Sequence, residues 1–217
     1  MVAAKTRRPT RGDDTRARLF AAAVHLFAAH GYADTTVDRI VREAGVAKGT
    51  FFIHFATKDA VVTELTRNQI RIARRARDRA LAQGESPVEA LRAVVITLGE
   101  QAAANRNLTR AVMTANLSNP TLGGFAESVF GGITTEMKDD VRAAQRAHLL
   151  GPRFDADVIA ETLIMAYLGA ALHFATAPGT KPLLELLIPV LEVNLAGFGA
   201  APAKKVAKKA AKKRAGG

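Results

Sequence analysis

Apolar residues recur every three or four positions along most of the chain. Leu19, Phe20, Ala23, Leu26 and Phe27 form one such stripe, which predicts a helix beginning near Asp14 and ending at Gly31. Thr36 is a suitable N-cap for a short helix with apolar positions at Val37, Ile40, Val41 and Ala44, broken by Gly45. A second short helix is expected over 47–55. Thr57 caps a third that runs to about residue 83. Its apolar pattern fades after Ile72, where Arg71, Arg74, Arg75, Arg77 and Arg79 crowd into what reads as a solvated face. Ser86-Pro87-Val88-Glu89 joins a capping box to a proline at the first helical position, and predicts a helix to about residue 105. Further helices are expected over 108–117, 121–150, 155–177 and 181–198, separated by glycine and proline breaks. No segment alternates with period two and no Asn-Gly or Asp-Gly turn occurs. The expected fold is all-α, with about nine helices.

Composition narrows the class. The 217 residues are 48% hydrophobic and 24% charged, as in an ordinary globular protein, and are enough for one or two domains. There is no cysteine, which excludes disulfides, thiolate metal sites and a cysteine nucleophile. The strongly apolar stretch at 183–195 is interrupted by Glu185, Pro189 and Glu192, and falls short of the ~20 residues of a spanning helix. The first residues lack the apolar core of a signal peptide. A cytoplasmic chain without a membrane partner is expected.

The net charge of +11 is concentrated at the two ends. Residues 1–55 carry an excess of four basic groups, residues 56–199 hold fifteen groups of each sign, and residues 200–217 hold seven basic groups and no acid. Cationic ends on a neutral body point to a polyanion, nucleic acid first. Residues 1–12 read as a flexible arm, with Arg7, Arg8 and Arg11 placed to follow a DNA backbone or minor groove. Residues 200–217 repeat lysine pairs at four-residue spacing among alanines, a composition expected to be disordered and able to add sequence-independent phosphate contacts.

The segment 36–55, TVDRIVREAGVAKGTFFIHF, places two short helices around a tight glycine turn, the spacing of a helix-turn-helix. The second helix of such a unit enters the major groove with its N-terminal residues at base edges. Here these are Ala47, Lys48, Gly49 and Thr50. Small residues allow close approach, while Lys48 and Thr50 offer polar contacts.

Residues 13–60 resemble the DNA-binding domain of the TetR (tetracycline-repressor-like) family of transcriptional regulators. The resemblance is carried by Leu26-Phe27-Ala28, Gly31-Tyr32, Thr35-Thr36-Val37, Ile40, Ala44-Gly45-Val46, Lys48-Gly49-Thr50, Phe55 and Thr57-Lys58-Asp59. It implies a homodimer on a near-palindromic double-stranded operator, repression, and release by a small ligand. It also implies that Thr36 caps its helix against a phosphate, that Lys48, Gly49 and Thr50 lie at the groove, and that Lys58 binds phosphate. Two departures stand out. Phe52 aligns with a common tyrosine and lacks its hydroxyl, and Ile53 occupies a position often polar or aromatic. With His54 beside them, they shift the expected reading toward thymine methyl groups.

Residues 61–199 are expected to form the ligand-binding and dimerisation domain. Met113, Phe125, Phe130, Met137, Met165, Tyr167, His173 and Phe174 are candidates to line a site for a small apolar effector. The last two helices are apolar on more than one face, which suggests burial against a second copy. Ile164, Leu168, Leu172, Leu187, Leu191 and Leu195 are the candidate interface. The five histidines show no paired metal spacing, and no nucleophile, P-loop or dinucleotide motif is present, so neither an enzyme, a metal nor a cofactor is expected. The alternative is an architectural DNA-binding protein dominated by its basic tail.

Overall fold

In the computed structural model, residues 11–118, 125–177, 179 and 181–201 are described. They form nine helices and no strand: α1 (Arg11–His30), α2 (Val37–Ala44), α3 (Lys48–His54), α4 (Lys58–Ala82), α5 (Pro87–Ala103), α6 (Arg106–Ser118), α7 (Phe125–Arg146), α8 (Ala156–Thr176) and α9 (Leu183–Gly197). The helix starts follow the expected caps. Thr36, Thr57 and Ser86 each accept a backbone N–H with the side-chain oxygen. Two boundaries differ from expectation. α1 begins at Arg11, which puts that residue in a first helical turn rather than in an arm. α7 ends at Arg146, before Gly151-Pro152, because His148 adopts a positive φ of 56° and turns the chain.

Two hydrophobic cores form. The smaller one gathers Leu19, Ala23, Phe27, Ile40, Phe51, Phe55, Val61 and Val62 from α1 to the start of α4, and also Ala111, Val112 and Ala115 of α6. The larger one is built from α4, α5 and α7–α9 around Leu91, Val95, Ile133, Met137, Ile159, Leu163, Leu187 and Leu191. The expected boundary at residue 60 therefore runs through one rigid helix. α4 serves both cores, with Ile70 and Ala73 in the second, and α6 from the larger unit completes the first. Gly99 lets α5 and α9 approach closely, since a Cβ there would lie 2.5 Å from Leu187 Cδ2.

Among the described residues, one helix, α8, is long and apolar enough to match a membrane span by length and composition. Its Ile159, Leu163, Ile164, Tyr167, Ala171 and Phe174 are packed into the larger core.

Candidate DNA-binding site

The turn between α2 and α3 is set by Gly45. It has φ 64° and donates its N–H back to α2 carbonyls, while Val46 N–H reaches the Val41 carbonyl at 3.0 Å. This is a left-handed helix stop that glycine enters without steric cost. α3 is only seven residues long, and it holds its place through Phe51, fully buried, and Phe55 beside it at a ring distance of 5.7 Å.

Two arginines of α1 that sequence reasoning passed over fix both helices by their carbonyl ends. Arg18 donates to the carbonyls of Ala44 and Gly45 at the end of α2. Arg16 donates to the His54 carbonyl at 2.7 Å, pairs with Glu64 and lies 4.5 Å over the Phe55 ring. Cations at helix C-termini answer both the unpaired carbonyls and the helix dipole. Neither contact leaves a signal in the local sequence, since the partners lie 38 and 26 residues away.

Most of the expected reading set is open to solvent. Ala47, Lys48 and Gly49 are exposed, and Thr50 and His54 are half-buried. Phe52 and Ile53 are 52% and 79% exposed. Lys48 pairs with Asp38 of α2 at 2.9 Å, with both side chains more than half exposed. Such a pair contributes about 0–1 kcal/mol and is readily exchanged for another anion. Thr36 is exposed, and its hydroxyl accepts from Arg39 N–H at 3.3 Å.

Lys58 stands apart from the others. Its ammonium donates to the carbonyls of Tyr32 at 2.7 Å and Thr35 at 3.0 Å, and lies 3.9 Å from the Tyr32 ring centre. Burial lowers its pKa, with Asp59 and Asp34 opposing. The Tyr32 hydroxyl in turn donates to Asp59, and burial followed by that contact pushes its pKa upward. Lys58, the expected phosphate contact, straps the α1–α2 loop onto α4. Arg7 and Arg8 lie outside the described residues, as does the Arg11 side chain.

In the larger unit, Met113, Phe130, Met137, Tyr167 and Phe174 converge in the core, with Phe130 and Tyr167 rings 6.1 Å apart. Burial pushes the Tyr167 hydroxyl pKa up. Met165 and His173 do not join them. Met165 is 53% exposed and His173 is also exposed, because both project from the opposite side of α8. The Phe125 side chain lies outside the described residues. The residues expected to face a partner are mostly turned inward. Ile164, Leu187, Leu191 and Leu195 are buried by the chain itself, Leu168 is half-buried, and of the six only Leu172 is exposed. The open apolar positions of α8 and α9 are Val158, Met165, Leu172, Val190 and Val193.

A family model described as bacterial regulatory proteins, tetR family, matches residues 19–65, the span of α1 through the start of α4. The HTH-type transcriptional regulator UidR of Escherichia coli (strain K12) is 23% identical over 161 residues, covering 71% of this chain and 79% of that protein. FadR of Thermus thermophilus, a TetR family transcriptional repressor solved in complex with lauroyl-CoA, superposes with a TM-score of 0.70 at 28% identity, over 87% of this chain and 97% of its own. FadR of Bacillus subtilis, solved in complex with stearoyl-CoA, superposes with a TM-score of 0.71 at 19% identity, over 83% of this chain and 98% of its own. Residues 19–65 thus match the tetR family model, and with its helix-turn-helix and two-core all-α architecture the chain is similar over most of its length to TetR family transcriptional regulators.

Proposed function

We propose that this chain is a homodimeric repressor that reads a near-palindromic operator through α3 and is released by an effector carrying a long acyl chain. The observation that carries the reading is the exposed Phe52 and Ile53 beside Lys48 on a helix whose other face is anchored by Phe51 and Phe55. A helix held this rigidly, with small residues at its N-terminus, suits insertion into a major groove. The apolar face of Val158, Met165, Leu172, Val190 and Val193 supports pairing of α8 and α9 with a second copy, which would set the spacing of two reading heads.

The acyl effector is supported by the lauroyl-CoA complex of the Thermus thermophilus protein and by the methionines and aromatic rings gathered between α6, α7 and α8. Release would pass through α6. Arg106 and Arg110 of that helix donate to the carbonyls of Ala177 and Ala175 at the end of α8, and its Ala111, Val112 and Ala115 pack into the core beneath α1. A ligand that displaces α8 therefore moves a helix on which the reading head rests, and the two affinities are coupled reciprocally.

The test is a selection on random duplex DNA at about 150 mM salt, followed by titration of lauroyl-CoA and stearoyl-CoA on the recovered site. One inverted repeat, released by acyl-CoA and not by free CoA, is the expected result. Recovery of no repeat overturns the operator reading; a repeat that acyl-CoA leaves bound overturns the effector.

A further inference from the structure

To read bases, α3 must meet the groove at one depth and one angle, and small errors in either forfeit the contacts. A helix of seven residues fixes little by itself, since isolated helices below about 12–15 residues are marginal in water. Its N-cap, Ala47, supplies no side-chain acceptor, and Phe51 is its one buried residue. Its first residue, Lys48, pairs with Asp38, and both side chains of that pair are more than half exposed. α2 is fastened better: Thr36 caps its start, the Gly45 turn closes its end, and Arg18 donates to the Ala44 carbonyl. Among the described residues, one side chain bonds the backbone of α3, and it is Arg16 of α1.

Arg16 spreads its planar fork over two helices. Nη1 donates to the His54 carbonyl at 2.7 Å, at the end of α3, and Nη2 donates to Glu64 in the second turn of α4. The guanidinium carbon lies 4.5 Å from the centre of the Phe55 ring, and Phe55, almost fully buried, leads α3 toward α4. Two directed bonds and one flat face therefore fix three things together: the end of α3, the start of α4 and the ring between them. Charge alone does not do this, because a lysine ammonium at the same place has neither a fork nor a face to stack. Glu64 takes part by holding Nη2, which keeps Nη1 on His54. The Arg16 side chain is 42% exposed, so a direct contact with a DNA phosphate is the competing role.

We propose that Arg16 is a positioning residue for operator specificity: its fork sets the angle of α3 against α1 and α4, and preference for the operator over other sequences depends on that angle. The proposal rests on α3 as the operator-facing helix. Binding to any duplex draws on cations near phosphates and tolerates a tilted α3, whereas contacts to base edges and thymine methyl groups do not. Loss of the fork therefore falls on discrimination rather than on affinity for DNA in general. The same holds for loss of Glu64, an acid that gains nothing from a phosphate.

The test uses the full chain and the variants Arg16→Lys, Arg16→Gln and Glu64→Gln. Each is titrated at several salt concentrations on the inverted repeat selected by the wild type and on a mixed-sequence duplex of equal length. Arg16→Gln is expected to lower the ratio of the two affinities about tenfold and to change binding to the mixed duplex by no more than about threefold. Arg16→Lys keeps the charge without the fork and is expected to lose discrimination as well. Glu64→Gln leaves Arg16 and its ring contact in place, and its expected loss of discrimination, about threefold, cannot come from a missing cation. Unchanged discrimination in Arg16→Gln or in Glu64→Gln overturns the proposal, and so does full rescue by Arg16→Lys. An equal loss on both duplexes, with a log–log salt slope flatter by about 0.9, also overturns it and makes Arg16 a phosphate contact. Melting temperatures equal to that of the wild type exclude a folding defect; where Arg16→Gln melts early, Glu64→Gln decides. A wild type that selects no repeat overturns the reading of α3 and the proposal with it, whereas a selected repeat that the variants discriminate equally well overturns the proposal alone.

Discussion

The small α1–α3 unit and the larger α4–α9 body are both helical and both close on a hydrophobic core, yet they place apolar side chains by different logic. In the small unit each residue has a role set within a few positions: Thr36 caps, Gly45 turns, Phe51 anchors and Ile53 points out. In the body, α8 is apolar nearly all round, so its face is decided by helices distant in sequence. One residue of difference, 100° of rotation, separates buried Ile164 from exposed Met165. Local chemistry is legible in a sequence; azimuth on an evenly apolar helix is not.

The largest expected effect breaks the body. Asp140 is nearly fully buried and meets Arg77 through both carboxylate oxygens, at 2.6 and 2.8 Å. Burial pushes its carboxyl pKa up more strongly than Arg77 pulls it down. Such a pair specifies where α4 sits on α7 more than it stabilises the fold. Asp140→Leu alone takes the bidentate partner from a mostly buried arginine, leaving it Asp78 at 3.0 Å and Glu136 at 3.8 Å, and is expected to cost about 3 kcal/mol in urea denaturation. Adding Arg77→Met should recover most of it. A double variant as unstable as the single one would show that the pair itself supplies net stability.

Next comes the partner face. Met165→Glu with Val193→Glu places charge on the outward side of α8 and α9 and leaves the chain's own core untouched. Sedimentation is expected to show a monomer, and operator affinity to fall about a hundredfold as two linked half-site contacts become independent. The same exchange at Leu191, fully buried, should unfold the chain instead. This contrast separates the outward face from the one the sequence suggested.

Legibility divides along the same line. The helix order and the caps at Thr36, Thr57 and Ser86 followed from side-chain chemistry near each position. Lys58 did not, because its position before Asp59 looks the same whether the ammonium faces a phosphate or the carbonyls of Tyr32 and Thr35. Arg16 and Arg18 were missed for a related reason: a cation's partner 38 or 26 residues away leaves no periodic trace. Met165 and His173 were assigned to a ligand site on residue type alone, which carries no information about facing.

Within the small unit, Gly45→Ala tests the turn. A Cβ at φ 64° is strained, and it would lie 3.3 Å from the Arg18 guanidinium that pins α2. A loss of about 1–2 kcal/mol is expected by thermal melting, with operator binding reduced in proportion. Ile53→Ala should leave stability unchanged, since the side chain touches little of the fold. It is expected to cost about 1 kcal/mol at one thymine step of the operator and nothing at a site where that thymine is replaced. Equal loss at both sites would make Ile53 a packing residue of the complex rather than a reader.

The smallest effect belongs to Lys48. In the free protein its ammonium is shared with Asp38, so the charge is partly answered before DNA arrives. Lys48→Ala is expected to weaken binding a few-fold and evenly across sequences, and to flatten the log–log salt dependence by about 0.9, one phosphate's worth of released counterion. Asp38→Asn should act in the opposite direction, freeing the lysine and tightening binding at low salt. If Lys48→Ala changes which base is preferred while the salt slope stays fixed, Lys48 reads a base edge, and the division of labour on α3 is reversed: the cation specifies, and Phe52 and Ile53 merely fill the groove.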